Sequence, residues 1–469
     1  MRQKLYRRAL AILCVLLVFS QMVQAAASYH NEQQRLLEEE LTKEKSKLTL
    51  WYTDDKLNAY LVEAAAEFEE QHKVEITLQL VTAVDYIENI NTASISDLGG
   101  PDLFVTSSEL LEKARLAGLA VENDSFTKQE LEAFFPQKAL DAATCGGKLM
   151  AYPFYFETCF LLYNKGYTDA APKAIDEILA YADNFESGAG TENVESIFKW
   201  NVADIFFNFF FIANYVNLGG PTGDNKAEVQ LSAEEIIECL KYYQSLNAFF
   251  AIDADEVTTD NVLQEFIDGK IVYTIAKTDA IARLDAAIAE GLVYQIPEEE
   301  AQEPAEGEEG GEAEPEEGAP EAEVPEEEVP EETPADNGYF YGIAQVPDLT
   351  EGLHTKGLSV TNSVAVNAYS RERDLAKAFA KYLTYDKAND LYTMTDKMPV
   401  KMGVSYANSE MEILIAQYED SVEVPKITDL SNYWIEMEIV FANIWRGNDV
   451  QEEIDAVNQS VQTQLQTEE

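Results

Sequence analysis

Asp55 and Lys56 stand just past the end of an apolar, strand-forming run, LTLWY, and Glu109 closely follows a second one, DLFVT. Positions just past strand ends are where open α/β sheets present ligand contacts. Plainer roles are open to the same residues: a helix cap and a solvated lysine for the pair, a first-turn acid favoured by the helix dipole for Glu109. Glu157 interrupts AYPFYFETCFLLYNK, where a charge is costly unless it is paired in a salt bridge or faces a cleft. Catalysis has less support. The three histidines, His30, His72 and His354, are scattered, and no HExxH, GxSxG, P-loop or GxGxxG pattern occurs. Nothing singles out a pair for glycoside hydrolysis among the 86 acids, so no catalytic residue, metal ligand or cofactor is assigned and no enzyme is expected.

The elements that must position these residues alternate. LTLWY is a strand, Asp54 or Asp55 can cap a helix running through Phe68, and VEITLQLV (Val74 to Val81) is the next strand. A second helix, a turn at Gly99 to Pro101, the strand DLFVT and a helix from Ser107 repeat the unit, which is βαβ chemistry with a parallel sheet. Helical periods return over Ser232 to Phe250, Asp260 to Ile267, Ala282 to Glu290, Ser370 to Leu383, Met411 to Tyr418 and Leu430 to Trp445. An α/β architecture in two lobes accommodates them all.

Composition narrows the partners. Acidic residues outnumber basic ones 86 to 33, a formal net charge of −53, and such a field repels phosphate backbones and anionic lipid. Nucleic acid is therefore excluded as a partner, and a monomer is expected. Arg2, Lys4, Arg7 and Arg8 precede an apolar run from Ala9 to Phe19 and small residues at Ala25 to Ala27, so residues 1–27 read as a cleavable signal peptide or a retained N-terminal anchor. Cys14 is a poor lipidation site because Leu13 stands where a small residue is needed. The other cysteines, Cys145, Cys159 and Cys239, imply neither a disulfide framework nor a metal site; a Cys145 to Cys159 bridge is the less favoured alternative to free thiols. Residues 28–46 form a polar spacer. Residues 297–336 carry 19 acids, no basic residue and seven of the fifteen prolines, the composition of a disordered insert whose role is a solvated spacer or an acidic brush.

Four segments in order, KLTLWYTDDK, GGPDLFVTSSEL, GKLMAYPFYFETCFLLYNK and DKMPVKMGVSY, resemble segments of the maltose-binding-protein family, the extracytoplasmic receptors that capture sugars for ABC importers. The resemblance runs from Lys47 to the C-terminus. It implies a two-lobed periplasmic-binding-protein-like fold with three inter-lobe crossovers and a central cleft. One lobe would hold residues 47–155 and 362–398, the other 156–361 and 399–469, with the insert inside the second.

Carboxylates that accept paired hydrogen bonds from vicinal hydroxyls, and aromatic faces that stack on a ring's C–H surface, are what sugar capture needs. By the resemblance Asp55, Lys56, Glu109 and Glu157 supply the first and Trp434 and Trp200 the second. Trp434 falls where the family's closing helix stacks a tryptophan on the sugar. Departures bear on specificity: Thr106 replaces a stacking tryptophan, Leu110 an arginine, Asp279 another tryptophan and Glu438 another arginine. The expected partners are a carbohydrate and membrane permease subunits, at an extracytoplasmic site. A sensory module for a membrane kinase, an adhesion or cation-buffering role for the insert, and a cationic or peptide ligand are the alternatives.

Overall fold

The computed structural model describes residues 45–96, 99–188, 190–231, 233–294 and 339–466. The leader, nearly all of the spacer and the acidic insert lie outside them. A ten-stranded sheet organises the described residues: β1 Ser46–Tyr52, β2 Val74–Leu80, β3 Leu103–Ser107, β4 Tyr152–Asn164, β5 Ser196–Phe198, β6 Ile271–Lys277, β7 Tyr341–Ala344, β8 Leu358–Val366, β9 Met398–Pro399 and β10 Val422–Glu423. Its main path runs β2-β1-β3-β8-β4-β6-β5, with β7 and β9 paired to β4 and β10 paired to β8.

Near the N-terminus β1 lies parallel to both β2 and β3, joined by the helix Asn58–Gln71, which buries Tyr60, Leu61, Ala64, Ala65 and Phe68 against the strands. That is the predicted βαβ unit.

The fold is two-lobed because three strands pass from one lobe to the other. β4 is thirteen residues long and buried almost throughout, as its continuous apolar run dictates. Its first half pairs with β8 and β9, and its second half pairs with β6 and β7. β8 pairs with β3 through Asn362–Val366 and with β10 through Leu358 and Ser359. Its register against β4 shifts between Asn362 and Ser363, an irregularity placed where the lobes meet. β9, beside Tyr155 and Phe156, is the third crossing.

One apolar core, around Leu50, Phe68, Val364 and Phe379, belongs to the first lobe. Another, around Phe198, Trp200, Phe211, Tyr243, Phe441 and Trp445, belongs to the second. A third puts Phe135 and Ala139 together with Phe156, Phe160, Phe266 and Leu414, and so joins the two. The phenylalanine run read as one buried helix is two short buried turns, Ile205–Asn208 and Phe210–Ala213. The C-terminal helix Val450–Gln466 had no counterpart in the sequence reading. Cys145, Cys159 and Cys239 are free and buried, each thiol pushed up to about 12 by desolvation.

Polar contacts complete the junction. Glu423 is almost fully buried; Oε1 accepts from Ser108 Oγ at 2.6 Å and the Thr361 amide at 2.6 Å, and Oε2 from Ser359 Oγ at 2.9 Å and Thr361 Oγ1 at 3.1 Å. Burial raises its pKa, and the hydrogen bonds and the Lys426 charge only partly oppose that. Lys426, buried more deeply still, donates to the carbonyls of Asp141 at 2.7 Å, Thr144 at 2.8 Å and Thr222. Lys138 donates to the Ser421 carbonyl, and the Gly146 amide to Asp224 at 2.7 Å.

Removing the Glu423 carboxylate would orphan the buried Thr361 amide and the Ser108 hydroxyl, while Thr361 Oγ1 keeps the Tyr418 hydroxyl and Ser359 Oγ keeps Ser421 and the Val422 carbonyl. Glu423→Ala should cost ~3 kcal/mol of unfolding free energy in a urea titration, and Glu423→Gln, which keeps an acceptor for the Thr361 amide, clearly less.

Candidate functional site

The end of β1 leads into a short turn, Asp55–Leu57, capped by Asp54, whose Oδ1 accepts from the Lys56 amide at 3.0 Å. Asp55 and Lys56 are both exposed there. Opposite them stand β6 and the helix Ala280–Glu290 that follows it. Between the two walls lies a cavity of about 390 Å³ whose lining includes Lys56 and Asp396 on one side and Asn201, Phe207, Lys277 and Asp279 on the other. Its charges are largely matched: Arg283 pairs with Asp260 at 3.1 Å, and Lys277 lies 3.8 Å from Asp279. Lys277 also sits over the Phe206 ring.

Glu157 lies on β4 at the crossing, half-buried, with Oε1 3.0 Å from Lys397 Nζ. The same ammonium is 2.7 Å from Asp54 Oδ2 and over the Tyr155 ring at 5.3 Å. Burial works against the Lys397 charge, but Glu157 and Asp54 outweigh it and raise its pKa. Glu157 therefore has the ion-pair partner that its apolar strand demands while about a quarter of its side chain stays exposed.

Glu109 occupies the first turn of the helix Ser108–Leu116, one residue past the serine that binds Glu423. Its carboxylate is solvent-accessible yet crowded by protein. Desolvation raises its pKa, against a hydrogen bond to the Ser107 side chain. Its helix packs on the turn Thr428–Leu430, which leads directly into the helix Ser431–Trp445.

Trp434, on the first turn of that helix, is half-buried and lies edge-on to Phe209 with ring centres 4.9 Å apart. The helix packs on Ile205–Asn208, whose Phe207 lines the cavity. Trp434 itself does not line the cavity; its ring partner Phe209 lies two residues along from Phe207. Beside it Ile435 and Ile439 are 64% and 55% exposed, and Glu438 is exposed too.

Trp200 does not belong with these residues. It is completely buried, stacked on Phe198 at 4.6 Å and edge-on to Trp445, and its Nε1 donates to Asn208 Oδ1 at 2.9 Å. A tryptophan at the start of so aromatic a stretch packs inward, so the expected cleft residue is a core residue. The sequence reading also passed over Lys397 and Asp396. Both lie in DKMPVKMGVSY, and two charges directly before an apolar crossing strand were a usable signal.

The comparisons agree with this architecture. The profile of the bacterial extracellular solute-binding proteins matches residues 54–390. A maltotriose-binding protein of Pyrococcus abyssi is 28% identical over 186 residues, 39% of each chain. A galactooligosaccharide-binding protein of Bacillus subtilis is 20% identical over 431 residues, 90% of each. A cyclo/maltodextrin-binding protein crystallised with maltotetraose superposes with a TM-score of 0.69 at 17% identity, covering 91% of this chain and 100% of that one.

The raised pKa of Glu109 fixes a sign. Ionising it is harder in the folded protein than in the unfolded one, so it costs stability as pH rises through the folded pKa and nothing below the ordinary carboxylate range. Glu109→Gln should therefore melt higher than the parent at pH 7, and the two melting curves should converge near pH 4.

Proposed function

We propose that this chain, which belongs to the bacterial extracellular solute-binding proteins, captures a sugar or oligosaccharide in its interlobe cleft and delivers it to the permease of an ABC importer. The observation that carries the reading is the cavity itself. It is bounded by Lys56 and Asp396 on one wall and by Asn201, Phe207 and Asp279 on the other. A ligand touching both walls favours the closed arrangement only by its extra affinity for it, so each wall must contribute.

In this reading Asp55, Lys56, Glu109 and Glu157 hydrogen-bond hydroxyls and Trp434 stacks on a ring. The relatives' names point the same way, since those proteins are named for maltotriose and galactooligosaccharide. The matched charges of the cavity favour a neutral polyol over the cationic ligand that Asp279 and Glu438 suggested, because Asp279 already has Lys277 beside it. Binding without chemical change is the expected mode. Family membership carries an extracytoplasmic location; release, periplasmic residence or attachment at the outer face depends on residues 1–27. Among the described residues no helix is long and apolar enough to cross a membrane.

A thermal-shift screen of protein lacking residues 1–27, against maltotriose, maltotetraose and galactooligosaccharides, tests the reading, with polyamines and short peptides as controls. A sugar at a hundred times its Kd should add ~2.7 kcal/mol to stability. Trp434→Ala should weaken the binding of that sugar by at least ~1 kcal/mol, the scale of a lost ring contact. A response to polyamines or peptides with none to sugars would overturn the carbohydrate assignment.

A further inference from the structure

Three chain segments meet at the Lys397 ammonium. Asp54 ends the loop that follows β1, Glu157 belongs to β4 at the crossing, and Lys397 directly precedes β9. Only 8% of the Lys397 side chain is exposed, against 26% for each carboxylate, so the cation is the buried member and the acids reach outward from it. Each carboxylate gives the ammonium one oxygen. The other oxygen of Asp54 accepts from the Lys56 amide, which fixes the turn that carries Asp55 and Lys56. The other oxygen of Glu157 has no hydrogen-bond partner among the described residues, which leaves it able to accept from a hydroxyl.

Asp396 adds a separate observation. It ends the helix Leu391–Thr395 with φ of 61°, one of three non-glycine residues among those described in the left-handed region. Aspartate tolerates that conformation better than most residues, and such backbone outliers cluster at binding sites. Here the turn puts Asp396 on the cavity wall while the next residue, Lys397, goes to the buried side. Lys56 and Asp396, the two first-wall residues of the cavity, thus each lie within two residues of the same ion-pair cluster.

We propose that Lys397 is the positioning residue of the cavity. It holds the Asp54–Lys56 turn, the Glu157 carboxylate and Asp396 in one arrangement, so that Lys56, Asp396 and the open oxygen of Glu157 meet a ligand as a preformed set. The ligand-binding half of this inference rests on the sugar-capture reading; the positioning half does not. Without the ammonium, Asp54 and Glu157 face each other as like charges, and each is exposed enough to hydrate, so the fold survives while the turn loosens.

The test compares the parent protein with Lys397→Met and Lys397→Arg, first by amide hydrogen exchange without ligand. In Lys397→Met the amides of Lys56 and Leu57 should exchange about tenfold faster, with the helix Ser108–Leu116 as protected as before, and Lys397→Arg should restore most of the protection. Unchanged exchange at the turn would overturn the proposal. So would a loss of protection spread evenly over both regions, which marks a merely structural residue. Calorimetry with maltotriose then follows. Where the parent binds it, Lys397→Met should bind at least about tenfold more weakly and Lys397→Arg within about threefold of the parent, and equal affinity in Lys397→Met overturns the proposal. A parent that binds none of maltotriose, maltotetraose and galactooligosaccharides counts against the sugar reading, while the exchange result still decides on Lys397.

Discussion

A carboxylate held by hydroxyls and an amide, with no direct ion pair, governs this structure. Glu423 reaches from the second lobe to Ser359 and Thr361 on the crossing strand β8 and to Ser108 at the start of a first-lobe helix. Burying a charge is costly unless every lone pair has a donor, and four donors meet that condition only when β8, β10 and the first-lobe helix all hold their places. One side chain therefore ties the lobe junction to the wall that carries Glu109.

The long strand β4 makes that arrangement possible. Its apolar run is covered on both faces, and each half finds different partners, so the same strand belongs to two lobes. A shared strand fixes the junction while leaving the lobes' far surfaces free to differ. The cavity opens beside the segment before β9, where Asp396 and Lys56 face β6 and the helix after it. Of the charges that line it, Lys56, Asp396 and Asp279 stand on turns or helix caps and Lys277 at a strand end.

Much of this was legible in the sequence. The strand and helix periods of the first lobe reproduce the observed elements to within a few residues, because a βαβ unit is local and its apolar period is strong. Asp55, Lys56 and Glu109 stand at strand ends as read, and Glu157 lies at a crossing. Trp200 shows the limit: nothing in the local sequence says which way a tryptophan turns at the edge of a phenylalanine-rich run, and the second-lobe core claimed it. The partners of Glu423 are separated from it by tens to hundreds of residues, and no periodicity announces such a contact. Lys397 was hidden for the same reason, since its meaning comes from Asp54 and Glu157, both far away in the chain.

The state of the three cysteines has a practical side. Cys145, Cys159 and Cys239 are buried and their thiols are held protonated well beyond neutral pH, so protein prepared from Lys45 onward presents almost no thiolate to an alkylating dye. A single cysteine introduced at the exposed Ile435, one residue from Trp434, would then be the one position to take a maleimide fluorophore. The chain from Lys45 onward is in that sense already a blank background for an optical reporter, with the attachment point next to Trp434 and none of its three buried thiols to remove first.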